Sequence, residues 1–93
     1  MRDDDFEWDD RKAATNWRKH GFAFEDARAV FADPKGFERP DLDETSEDRF
    51  LLTGFAGDLL VTVVFVQRSH RYRIISARKA SPNEQREYFT QNF

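Results

Sequence analysis

The densest group of side chains suited to chemistry is a basic run in the second half of the chain. Five basic residues and no acid fall between Gln67 and Lys79. Guanidinium groups bind phosphate oxygens through paired hydrogen bonds and stabilise charge in a phosphoryl transition state. Strand alternation predicts that Arg71 and Arg73 point away from the main core, whereas parity does not fix the direction of Arg78. The alternative is that these arginines pair with acids of the first half of the chain.

A second candidate group lies on a predicted helix that follows Asp9 or Asp10 and ends at Gly21. Helical spacing separates its side chains into a polar stripe and an apolar stripe. The polar stripe consists of Lys12, Asn16 and Lys19, and the apolar stripe consists of Ala13, Ala14 and Trp17, with His20 close by.

These stripes favour different roles. A lysine binds phosphate as a point charge, or it belongs to a solvated helix face. His20 suits a general base near neutral pH, but its place near the apolar stripe favours a structural role. We expect Trp17 to pack in the core. Trp8, in a short alternating stretch before the helix, either stacks on a base or packs in the core.

No metal site is predicted. The two histidines, His20 and His70, lie fifty residues apart, and neither has metal-ligand spacing around it. The acidic cluster between Asp41 and Asp48 lacks the glycine and the spacing of a calcium loop, so we interpret it as a solvated loop. We expect no metal ion and no cofactor.

The predicted elements indicate an α+β fold with the order (β)ααβ(β)ββα. An edge strand near Phe6 comes first, followed by the helix that ends at Gly21 and a second helix over residues 24–32. Residues 35–48 form a loop or a short edge strand. Strands follow over residues 50–55, 59–67 and 71–77, the second of them central in the sheet. Ser81-Pro82-Asn83-Glu84 is a capping box that begins a last helix over residues 82–91.

Composition narrows the class of protein. The 93 residues suit one domain, here residues 1–93, and ten Phe make the chain too aromatic for a disordered protein. Without cysteine there is no disulfide scaffold, no cysteine zinc site and no thiol nucleophile. The apolar runs are too short for a membrane helix, and the acidic start lacks a signal peptide, so we expect a cytoplasmic protein.

The net charge of −3 conceals an asymmetry between the two halves of the chain. Residues 1–48 carry 15 acids and 8 bases, a net −7, whereas residues 49–93 carry 3 acids and 7 bases, a net +4. A uniformly acidic protein binds nucleic acid poorly, but a chain with segregated charge is not excluded from doing so.

Two separated motifs resemble the BrnT-type toxins of bacterial type II toxin–antitoxin systems. The opening motif consists of Phe6-Glu7-Trp8-Asp9, Lys12, Asn16, Lys19-His20-Gly21, Phe24 and Ala27. The closing motif consists of Arg73-Ile74-Ile75-Ser76-Ala77-Arg78, Ala80, Glu84 and Tyr88. Arg49 and the apolar hairpin between the motifs also match in order and spacing. The acidic net charge departs from this resemblance, because such toxins are usually basic.

The resemblance implies a RelE-like fold, with two N-terminal helices and a C-terminal helix on an antiparallel sheet. It implies a metal-independent endoribonuclease that cleaves RNA by attack of a 2′-OH group and inhibits translation. The implied partner is a BrnA-like ribbon-helix-helix antitoxin in a hetero-oligomer, which would contact DNA only through the antitoxin. The alternative is a non-catalytic module of the same fold that acts with such a partner in operon autoregulation.

Residue by residue, the resemblance implies two sets of roles. The catalytic candidates are Arg73, Arg78, Arg49, Lys19 and His20, the arginines for charge stabilisation and one of the Lys-His pair for proton transfer. The substrate-binding candidates are Trp8, Lys12, Asn16 and Tyr88, with docking of the last helix as the alternative role of Tyr88.

Overall fold

A five-stranded sheet with helices on both faces forms the protein, and the computed structural model describes residues 1–42 and 48–91. The elements are β1 (Phe6–Glu7), α1 (Asp10–His20), α2 (Phe24–Ala27), a 3₁₀ helix (Arg28–Ala32), β2 (Phe37–Pro40), β3 (Arg49–Ala56), β4 (Leu59–Arg68), β5 (Arg71–Lys79) and α3 (Pro82–Gln91). The α+β prediction is confirmed, including both optional strands. The predicted second helix is half α-helix and half 3₁₀ helix.

The strand order is β1-β5-β4-β3-β2, with β1 parallel to β5 and every other pair antiparallel. The β-branched and aliphatic strand β4 therefore lies at the centre, as predicted. The interpretation of residues 35–48 as a loop or an edge strand is confirmed in part, because β2 is an edge strand. The acidic residues 43–47 lie outside the described residues.

One face of the sheet, here the helical face, carries the main core. Val61, Val63 and Phe65 of β4 pack there against Phe24 and Val30, and all five are fully buried or nearly so. Burial of such side chains stabilises a fold by about 1.5–3 kcal/mol each, so this cluster holds α2 and the 3₁₀ helix on the sheet.

The opposite face is here named the arginine face, because the strand register turns six arginines toward it. They are Arg39, Arg49, Arg68, Arg71, Arg73 and Arg78. Helix α3 covers one end of this face through a small second cluster in which Tyr88 packs against Phe37, Leu60 and Phe55. Arg71 and Arg73 point away from the main core, as predicted.

A β-bulge in β5 sets the direction of Arg78. The pairing passes from Val64 opposite Ser76 to Phe65 opposite Ile74, so that Ile75 is the extra residue. Arg73 and Arg78 are five residues apart, and in a regular strand they would face opposite sides. Because the bulge adds one residue, both lie on the arginine face.

The ends of α1 are as predicted, but the face that it buries is not. Asp9 caps the N-terminus by accepting from the backbone N–H groups of Arg11 and Lys12, and Gly21 ends the helix with φ = 64°. Trp17, however, is 59% exposed, and Ala14 is also exposed. The predicted core role of Trp17 is therefore wrong, and the residue buried on this helix is Asn16, with 4% exposed.

Candidate functional site

A pocket of about 380 Å³ lies between α1 and β5. Eight residues line it, namely Arg11, Lys12, Thr15, Asn16, Lys19, His20, Ile75 and Ser76. Among the described residues, the lining contains three cations, an imidazole and two hydroxyl groups, and no carboxylate. An electropositive concave site of this composition suits an anionic ligand such as a phosphate group.

The cations of this pocket are not neutralised by neighbouring acids. Arg11, Lys12 and Lys19 are all exposed, and none of them forms a salt bridge with a carboxylate of the described residues. These three side chains are therefore open to an anionic ligand. Sequence reasoning found Lys12 and Lys19 but missed Arg11, although its spacing of eight residues from Lys19 places both on one side of the helix.

Asn16 fixes α1 against the edge of β5. Its Nδ2 donates to the backbone carbonyls of Ala77 at 2.8 Å and Phe22 at 3.0 Å, and its Oδ1 accepts from the N–H of Ala77 at 3.0 Å. The amide side chain thereby replaces a neighbouring strand at this point of the edge. These hydrogen bonds all go to backbone groups, so Asn16 holds α1 in position beside the pocket that it also lines.

His20 lies at the end of α1, exposed, and lines the pocket beside Lys19. This exposure argues against the structural role that the sequence favours for His20, because the helix turns Asn16 and not His20 toward the sheet. An imidazole beside cations is of a side-chain type that serves in general acid–base chemistry.

Trp8 and Tyr88, two of the predicted substrate-binding residues, are both buried with 4% exposed. The Trp8 ring packs edge-on against Phe24 in the main core, with ring centroids 5.8 Å apart. The Tyr88 hydroxyl donates to Asp33 at 2.8 Å. Burial raises the pKa of Tyr88 to about 12, with a further contribution from the carboxylate of Asp33. Neither ring faces a surface on which a base could stack.

On the arginine face, Glu84 joins three elements. Its carboxylate accepts from Arg78 of β5 at 2.7 and 3.1 Å and from Arg39 of β2 at 2.5 Å. It also accepts from the backbone N–H of Ser81 at 2.8 Å, so the predicted capping box of α3 is confirmed. A single carboxylate thus links α3 to β5 and to β2, which lie on either side of the central strands β4 and β3.

The ionised form of Glu84 is strongly favoured. Burial alone would raise its pKa, but hydrogen bonds from Arg78, the Ser81 N–H and Thr62 outweigh this and lower the pKa from 4.5 to about 2. Beneath the carboxylate, the hydroxyl oxygens of Thr53 and Thr62 lie 2.6 Å apart. Sequence reasoning explained Glu84 by the capping box alone and missed its pairing with two arginines.

The closing-motif arginines are engaged by carboxylates rather than free. Arg73 donates to Glu7 of β1 at 2.6 Å, and this hydrogen bond lowers the pKa of Glu7. The predicted pairing with an acid of the first half is therefore confirmed for Arg73, whereas Arg78 pairs with Glu84 of the second half. Arg49 lies at the start of β3, opposite Val66.

The predicted site residues thus fall into three places. Lys12, Lys19 and His20 meet in the pocket, with Asn16 behind them. Arg49, Arg73 and Arg78 lie on the arginine face, and Trp8 and Tyr88 are buried in the two cores. Within residues 1–42 and 48–91, no three His, Asp or Glu side chains cluster closely enough to hold a metal ion. No helix in the described part of the chain is long and apolar enough to cross a membrane.

Fold and site together define a small α+β domain with an electropositive pocket and an arginine-rich sheet face, as expected of a protein that binds a polyanion. A family model described as "Ribonuclease toxin, BrnT, of type II toxin-antitoxin system" matches residues 8–84, or 77 of the 93 residues. The chain belongs to the BrnT family of ribonuclease toxins. A search of curated protein sequences finds no significant match.

Proposed function

We propose that this BrnT toxin is a metal-independent endoribonuclease whose RNA site is the pocket between α1 and β5. Besides the family match, the observation that carries the proposal is the cluster of unneutralised cations in that pocket. RNA carries one negative charge per phosphate, and binding it requires cations that are not already paired. Lys12, Lys19 and Arg11 supply these on one helix face.

The proposed reaction is attack of a ribose 2′-OH on the adjacent phosphorus. The new O–P bond forms as the bond to the 5′-oxygen breaks, which leaves a 2′,3′-cyclic phosphate and a 5′-hydroxyl. His20 accepts the 2′-OH proton, while the ammonium of Lys19 stabilises the charged phosphorane. The proton on the leaving 5′-oxygen comes from Lys19 or from water.

In this proposal the arginines of the arginine face bind RNA outside the pocket; they are Arg73, Arg78 and Arg49. Arg78 lies two residues from Ser76 of the pocket, on the same face of β5. The guanidinium N–H groups that Glu84 does not use remain able to donate to a phosphate at the rim of the pocket. Arg73 and Arg49 lie further along the arginine face, where they would contact the flanking chain.

The partner in this proposal is a ribbon-helix-helix antitoxin of the BrnA type. The hetero-oligomer would form in the cytoplasm, neutralise the toxin and repress the shared operon through the antitoxin's DNA contacts. The RelE-like assignment of the fold and the single domain over residues 1–93 belong to the same proposal.

The test compares Lys19→Ala and His20→Ala with Arg18→Ala in cleavage of a labelled RNA. Each pocket variant should lose on the order of 10²-fold or more in cleavage rate, the usual contribution of a proton-transfer group. Arg18 is an exposed cation of the same helix outside the pocket lining, so Arg18→Ala should cleave like the unmodified chain. EDTA should leave the rate unchanged.

Because all three side chains are exposed, we expect the three variants to fold normally. Circular dichroism checks this and so distinguishes loss of activity from loss of fold. Full activity of both folded pocket variants would overturn the assignment of the pocket. A chain that binds its antitoxin but neither cleaves RNA nor arrests growth would instead be the non-catalytic module, with a role confined to operon regulation.

A further inference from the structure

The arginine face has an apolar centre that neither core uses. Leu51 of β3 and Val64 and Val66 of β4 lie side by side there, because Leu51 pairs with Val64 and Val66 follows two residues later on the same face. All three are partly exposed, and none belongs to either core cluster of the described residues. We name these three residues the aliphatic strip.

Cations surround the aliphatic strip. Among the described residues, six arginines and two glutamates lie on the arginine face, and the two glutamates, Glu7 and Glu84, are bound to arginines. The surface thus keeps a net positive charge around an apolar centre. Interface centres are enriched in apolar side chains and arginine, and partners present the complementary charge.

From this charge and shape we propose that the aliphatic strip and its arginine border are the docking surface for an acidic, amphipathic segment of the antitoxin. The inference rests on the antitoxin partner of the proposed function. Apolar side chains of the segment cover Leu51, Val64 and Val66, and its carboxylates face Arg68 at the border of the strip. Helix α3 does not occupy this position, since its contacts lie at the Phe37 and Leu60 end of the sheet.

RNA fits this centre less well than a protein segment does. Bases stack on aromatic rings or on free guanidinium planes, whereas the strip offers three aliphatic side chains. The aromatic residues of this face, Phe37 and Phe55, are engaged beneath α3. The pocket between α1 and β5, in contrast, has hydroxyl groups and unneutralised cations. The aliphatic strip therefore suits a protein segment and the pocket suits RNA, while Arg49 and Arg73 beside the strip reach the flanking RNA only when no antitoxin covers this face.

The two surfaces are also separable by mutation. Arg68 pairs with Arg71, five residues before Ser76 in β5, which corresponds to roughly 13–16 Å along the strand. Arg68 is exposed and forms no salt bridge with a described carboxylate. Arg68→Glu thus reverses a charge of the docking surface at a distance from the pocket.

The experiment measures binding of the cognate antitoxin, together with RNA cleavage, for the full chain. Arg68→Glu should weaken antitoxin binding by about tenfold or more while RNA cleavage by the free toxin stays unchanged. Lys19→Ala should do the opposite, with cleavage lost and antitoxin affinity retained. Binding to the unmodified chain should also weaken as the salt concentration rises.

A second pair of variants tests the apolar centre. Val66→Glu places a carboxylate between Arg49 and Arg73, which lie opposite it on the neighbouring strands, so the fold should tolerate it. It should weaken antitoxin binding by about tenfold or more, whereas Val66→Thr, of nearly the same shape, should have a smaller effect. Thermal unfolding of both variants monitors the fold.

Each result has a distinct meaning. Unchanged antitoxin affinity in folded Arg68→Glu and Val66→Glu would overturn the docking surface. Loss of RNA cleavage without loss of antitoxin binding in Arg68→Glu would assign this face to RNA instead. If the unmodified chain binds antitoxin through these residues but does not cleave RNA, the proposed function fails and the docking surface stands.

Discussion

At the scale of single residues, the same side-chain type serves different purposes according to its partner. Arg78 and Arg39 share the carboxylate of Glu84, whereas Lys19 and Arg11 have no described acid at salt-bridge distance. A guanidinium bound by a buried carboxylate contributes to the fold, and its removal leaves that carboxylate uncompensated. Arg78→Ala is therefore an ambiguous test of catalysis, since it alters the fold and the site together.

The pKa of Glu84 predicts a specific acid sensitivity. Because the pKa is lowered from 4.5 to about 2 on folding, the ionised carboxylate stabilises the fold above pH 4.5. This stabilisation, on the order of 2–3 kcal/mol, is lost as the pH falls from about 4.5 to about 2. Glu84→Gln should lower the free energy of unfolding at pH 7 by a similar amount and remove this part of the acid dependence.

Urea unfolding between pH 2 and pH 7 measures both effects. Glu87→Gln is the matched control, because Glu87 is exposed on the same helix. A Glu84→Gln variant as stable as the control at pH 7 would show that the arginine pairs contribute nothing to the fold.

At the scale of elements, α1 is positioned by the polar side chain of Asn16 together with Ala13, whereas Ala14 and Trp17 of its apolar stripe are exposed. Periodicity predicted that Trp17 faces the core, yet the neighbour of α1 is the edge of β5. A strand edge presents backbone N–H and C=O groups that need partners, and Asn16 supplies both a donor and an acceptor. The sequence pattern contains no signal for this, because the partner is a backbone 61 residues away.

Asn16→Asp tests this account of α1. A carboxylate cannot donate to the carbonyls of Phe22 and Ala77, and its charge is buried beside them, so the free energy of unfolding should fall by about 2–4 kcal/mol. RNA cleavage should fall as well, since α1 carries the pocket cations. Asn83→Asp, at an exposed position of α3, should change neither quantity by much.

Chemical denaturation and cleavage assays at a temperature where both variants are folded separate the two effects. Full stability of Asn16→Asp would mean that the apolar contacts of Ala13 and Trp8 hold α1 in place on their own.

At the scale of the whole molecule, the net charge of −3 is a poor guide to RNA binding. The charge is segregated, and the pocket carries cations without acids while the closing-motif arginines are paired. Salt screens charges that lie more than about 10 Å from a bound phosphate, so the affinity of a contact depends on the charges close to it. The net charge of the protein mainly affects long-range attraction or repulsion before binding. An acidic toxin can therefore bind RNA through one face.

Salt dependence of RNA binding measures this local charge. With two to four phosphate contacts in the pocket, the logarithm of the binding constant should fall against the logarithm of salt concentration with a slope of about −1.5 to −3. Lys12→Ala should reduce the slope by roughly 0.7, whereas Arg28→Ala, outside the pocket, should leave it unchanged. A slope near zero for the unmodified chain would contradict electrostatic binding in the pocket.

The sequence by itself determined the α+β class, the strands and the ends of α1 and α3, because alternation, helical spacing and capping residues act within a few positions. The sequence also contains the opening and closing motifs that resemble the BrnT family. It did not determine which cations are free.

Tertiary structure decided that question. The extra residue Ile75 turns Arg78 to the same face as Arg73; strand register brings Glu7 to Arg73, and the packing of α3 on the sheet brings Glu84 to Arg78. Asn16 occupies the buried side of α1 and leaves Lys12, Lys19 and His20 around a pocket whose described lining has no acid. Pairing of charges depends on distances between residues far apart in the chain, and only the folded arrangement of strands and helices fixes those distances.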